Sequence, residues 1–171
     1  MIPIIIATLL LVLWTAGQWY FNYKQLPRSI ANNPFGLPLG GRIIWCAVAW
    51  AVTFCLVPVA MAHVADYLRF LVLLAGGSMV MVGALPIHED EDGVGGDLYN
   101  GFAVAAFFCS QVLVLMQQPL ALLCWVPVVL YGSICINRAK NWPSWRLFAG
   151  YAAYAATVIA ISISQSIKCF S

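Results

Sequence analysis

RIIWCAVAWAVTFCLVPVAMAHVADYLRFLVLLAGGSMVMVGALP, residues 42–86, decides the fold. It contains two apolar runs, 43–62 and 67–86, separated only by a short polar turn with His63 and Asp66, with Arg69 just inside the second run. Each run is about as long as the 20 mainly apolar residues that an α-helix needs to cross a bilayer. Outward from this pair the same pattern recurs at 2–20, 98–116, 119–136 and 147–166, which makes six runs.

Composition agrees. Hydrophobic residues make up 63% of the 171 residues and charged residues 8%, against about a quarter charged in soluble domains. No polar stretch is longer than a linker, so nearly the whole mass belongs in the bilayer. The expected fold is all-α: a polytopic integral membrane bundle of six transmembrane helices in one domain spanning residues 1–171. The first run reads as a retained helix. No basic residue precedes it, it exceeds the apolar core of a signal peptide, and it ends in GQWYFNY, not in a small-residue cleavage site.

The breaks carry their own punctuation. NYKQLPRSIANNPFGLPLGGR holds Pro27, Pro34 and Pro38, QQP is a tight turn, and NRAKNWPSWR is basic with interfacial Trp142 and Trp145. Lys24, Arg28, Arg42, Arg138, Lys140 and Arg146 fall on one side of the predicted topology, while only Arg69 and Lys168 fall on the other. The positive-inside rule therefore puts both termini outside and loops 21–42, 87–97 and 137–146 in the cytoplasm.

A net charge of +2 with scattered basic residues leaves no footprint for nucleic acid. Five of the six cysteines lie within apolar runs without C-x-x-C spacing, so they read as small apolar packers. Lipid does not drive helices together by the apolar effect, so small residues and interhelical hydrogen bonds must do so. The last run offers Ala149, Ala153 and Thr157 beside Ala152, Ala156 and Ala160, and the third offers Gly76, Gly77, Ser78 and Gly83. Pro58 and Pro127 sit inside runs and are expected to kink them.

Two polar constellations carry candidate chemistry. In HVADYLR, residues 63–69, three-residue steps set His63, Asp66 and Arg69 on one helical face. Asp66 can orient His63 as a base, or the charges can simply pair with one another and with headgroups. In ALPIHEDEDGVGGDLYNG, residues 84–101, five of the six acidic residues gather. Glu89, Asp90, Asp92 and Asp97 are the candidate ligands for calcium or magnesium, and His88, Asp97 and Tyr99 the candidate catalytic groups. The stretch looks like a fragment of the thrombospondin-type calcium repeats, with one Asp-x-Asp-Gly step and no closing Glu. A solvated connector is the plainer reading, and no cofactor is expected.

Pro86, the loop after it and LYNGFAVAAFF resemble the six-helix DRAM-like membrane proteins, related to the Frag and Sfk group. There a loop after the third span leads to a histidine at the start of the fourth. Gly101 and Ala103 match the small positions, but Tyr99 or Asn100 stands where that family has histidine, so no role of the histidine transfers. Compact all-helical hydrolases of the ceramidase type are similar in outline, yet their zinc site uses three histidines, and His63 and His88 are the only two here.

Three function classes follow. The first is a structural or accessory membrane protein working with lipid, a protein partner or a second copy. The second is a lipid-active enzyme or sensor at the cytoplasmic face. The third is a channel or carrier for a neutral solute, lined by Ser78, Ser110, Gln111, Tyr151 and Tyr154.

Overall fold

The computed structural model describes residues 2–21, 37–88, 94–137 and 145–170, and among these the regular structure is entirely helical. The helices are α1 (Ile2–Phe21), α2 (Leu39–His63), α3 (Arg69–His88), α4 (Val94–Gln117), α5 (Val126–Asn137) and α6 (Trp145–Phe170). Segments within α1, α2, α4 and α6, and Asp66–Ile87 around α3, are long and apolar enough to cross a membrane, five in all. Much of their apolar surface lies outside: Leu13, Phe54, Phe70, Val104 and Phe108 are all exposed. Such faces suit lipid, where water would penalise them.

The fifth apolar run departs from the expected single helix over 119–136. Gln118 leaves the helical region at φ −145° and ψ 72°, and a 3-10 helix, Pro119–Trp125, precedes the short α5. Proline explains the break. Pro127 has no N–H to give to the Leu123 carbonyl one helical turn back, and that carbonyl is taken instead by the Val126 N–H, three residues on.

The third connection is also shorter than the expected 87–97 loop. α3 continues through Pro86 to His88, and α4 begins at Val94, with Asp97 in its first turn, where a carboxylate favours the helix dipole. Pro86 thus lies inside the helix it was expected to close.

Successive helices α1 to α4 pack side by side, and α6 packs against α4 and α2; the 3-10 helix packs against both α6 and α4, and α5 against α6. At one end Trp45, Ala49, Val82, Leu85 and Tyr99 form a cluster with Trp14 and Phe102 against it. At the other, Ile4, Ala60, Val64, Leu68, Val72, Leu113 and Ile161 pack together. The small residues of α6 face inward, with Ala149, Ala152, Ala153, Ala156 and Ala160 all buried.

α2 and α3 meet at two glycines. A Cβ on Gly76 would come within 2.6 Å of Val57 Cγ2, and one on Gly83 within 2.9 Å of Trp50 Cδ1 and 3.1 Å of Ala49 Cβ. Seven residues apart, they let the backbones approach along one seam.

Candidate functional site

From the start of α2 to its middle, three side-chain donors reach α3. Arg42 Nη1 donates to the Pro86 carbonyl at 3.1 Å, Trp45 Nε1 to that of Val82 at 3.2 Å, and Trp50 Nε1 to that of Val80 at 3.0 Å. The first two have a local reason. Pro86 lacks an N–H, so the Val82 carbonyl four residues back loses its helical donor, and the buried Trp45 indole needs an acceptor. The Pro86 carbonyl belongs to the last turn of α3, where carbonyls are orphaned and a cation suits the dipole. Arg42 Nε also holds the Leu37 carbonyl at 3.0 Å, fixing the start of α2.

Of the candidate catalytic groups, Asp97 and Tyr99 are both on α4. Two residues apart, they point to different sides of the helix: Asp97 is exposed, while Tyr99 is buried beside Trp45 and Leu85. Tyr99 is thus part of the core. His88 is the last residue of α3, and its side chain lies outside the description, as do the ligand candidates Glu89, Asp90 and Asp92. Among the described residues no three His, Cys, Asp or Glu side chains come together to hold a metal ion.

His63 closes α2 and its Nδ1 is bonded to the Val59 carbonyl at 2.7 Å. Asp66 opens a 3-10 turn, Asp66–Leu68, and its carboxylate pairs with Arg69 at 2.9 Å, with both side chains well exposed. The structure therefore ties Asp66 to Arg69 and His63 to its own helix.

Within the spans, hydroxyls mostly bond back to their own helix: Thr53 to Ala49, Thr157 to Ala153, Ser133 to Val129 and Ser164 to Ala160, while Ser110 reaches the Phe107 carbonyl. Gln111 instead joins three elements. Its Oε1 accepts from Trp125 Nε1 of the 3-10 helix at 3.0 Å, and its Nε2 donates to the Ala153 carbonyl of α6 at 3.3 Å. Phe107 meets the Trp125 ring edge-on at 5.6 Å.

The seam between α1 and α6 is of another kind. Tyr154 and Tyr151 reach across it to Thr8 and Thr15, the Thr8–Tyr154 hydroxyls being 3.0 Å apart, and Tyr151 OH also donates to the Leu11 carbonyl at 3.2 Å. Between the helices lies a groove of about 330 Å³ lined by Thr8, Val12, Tyr151, Tyr154, Ala155, Val158 and Ile159. Nearby on α1, Gln18 is 6% exposed and its Oε1 has no hydrogen-bond partner.

Several of these residues were beyond the sequence reading: Trp45 and Trp50 as donors, Thr8 and Thr15 as tyrosine partners, Trp125 and Gln18. One signal was present, since a proline inside a span marks the carbonyl four residues before it as in need of a donor. Comparison of the chain with family models, with curated proteins and with solved structures finds no match in any of the three.

Proposed function

We propose that this chain is a six-span integral membrane protein of accessory type, acting through contact with lipid or with a protein partner. The observation that carries this reading is the use made of polar groups within the spans. Arg42, Trp45, Trp50, Gln111, Tyr151 and Tyr154 each bond to another helix. Such bonds hold a bundle together where the apolar effect cannot. Asp97 and Tyr99, on different sides of α4, support a scaffold better than a shared catalytic cleft.

The sixth crossing is Pro119–Asn137. A 3-10 helix rises roughly 2 Å per residue and an α-helix about 1.5 Å, so the 3-10 helix and α5 reach about 32 Å end to end, close to the roughly 30 Å of the hydrocarbon layer. An even number of crossings puts both termini on one side, and the Lys and Arg distribution makes that side the outside, with the α1–α2, α3–α4 and α5–α6 connections in the cytoplasm. The small residues Gly101 and Ala103 of α4 keep the DRAM-like resemblance as a proposal of fold only, since Pro86 lies within α3 and not in the loop after it.

The test is incubation of the purified protein in nanodiscs made from a total membrane lipid extract, followed by lipid analysis and native mass spectrometry. The accessory reading predicts unchanged lipid composition together with retained lipid or protein adducts. Lipid turnover that Asp97→Asn or His88→Ala abolishes would replace it with the enzyme reading.

A further inference from the structure

We propose that the groove between α1 and α6 holds one hydrocarbon chain of a membrane lipid, entering sideways from the bilayer; this rests on the membrane reading above. Depth is the first reason. Thr8 and Val12 lie near the middle of the candidate span Ile2–Tyr20, and Tyr154 to Ile159 near the middle of Phe148–Ser166. At that level the surroundings are lipid tails, with no water to fill a gap.

Complementarity is the second. No lining residue is charged. The two tyrosine hydroxyls are engaged, Tyr154 with Thr8 and Tyr151 with Thr15 and the Leu11 carbonyl, and Thr8 also donates to the Ile4 carbonyl at 2.8 Å. A phosphate, ammonium or sugar placed there would lose its water without gaining a partner. A hydrocarbon chain has no such groups to satisfy, and it restores the dispersion contacts that an empty groove denies its walls.

Size is the third. About 330 Å³ suits an extended chain. Ala155 keeps the groove open, because a larger side chain at that position would occupy the space of the lipid chain.

The experiment uses the full chain in phosphatidylcholine nanodiscs containing a fraction of phosphatidylcholine with a photoreactive diazirine midway along one acyl chain. Crosslinks are mapped by mass spectrometry after illumination. Labelling of the segments around Val12 and Ala155–Ile159 should exceed, several-fold, that of Val104 and Phe108 on the exposed face of α4, and should saturate as the probe fraction rises. Ala155→Phe, or the milder Ala155→Leu if the first variant fails to fold, should bring groove labelling down to the α4 level without changing α4. Equal labelling of groove and α4 in the unaltered protein would overturn the proposal. Absence of labelling everywhere, α4 included, would instead remove the membrane reading on which the proposal rests.

Discussion

Trp45 donates its indole N–H to a carbonyl that Pro86 has deprived of its own donor. The pairing predicts a specific non-additivity. Trp45→Phe should lower stability by about 1 kcal/mol in detergent unfolding, because the buried Val82 carbonyl loses its partner. In a Pro86→Ala background, where residue 86 regains an N–H for Val82, the same substitution should cost much less. Equal costs in the two backgrounds would separate the tryptophan from the proline. Gln18 makes the opposite case. Its Oε1 is buried without a partner, so Gln18→Met, which keeps the length and removes the amide, should raise the unfolding midpoint by an amount equivalent to about 1 kcal/mol. A drop would mean that the amide is engaged after all.

At the scale of elements, the α2–α3 pair rests on its glycine seam. Gly83→Val should destabilise the bundle by about 1–3 kcal/mol through overpacking against Trp50 and Ala49. Gly77→Val, on the same helix with nothing within 4 Å of the new Cβ, should change thermal stability little. Similar losses for the two would show that helix propensity, not the seam, governs. The glycines of α3 and the alanines of α6 were legible as packing residues from their spacing, and the spans from apolar length. Their partners were not. A helix that is apolar on every side does not reveal which face meets lipid, so the inward position of Tyr99 and the reach of Tyr151 and Tyr154 to α1 depend on tertiary packing. The split of the fifth run follows from Pro119 and Pro127, but hydropathy averages over prolines and registers a single span. In the acidic stretch, apolar periodicity fades among glycines and carboxylates, which is why the start of α4 at Val94, taking Asp97 with it, was not legible and the apolar run reads only from 98.

At the scale of the whole molecule, the central claim is a bundle that crosses the membrane six times, with the 3-10 helix and α5 completing the sixth crossing. Five helices have the length and apolarity to span on their own, so the claim turns on the stretch Pro119–Asn137. Parity makes it measurable. With six crossings the two termini share a side, and with five they face opposite sides. Small epitope tags at each end of the full chain, probed by protease in intact cells and again after permeabilisation, read this directly. The account predicts that both tags are cleaved from outside without permeabilisation, whereas one tag cleaved from outside and the other protected would contradict it.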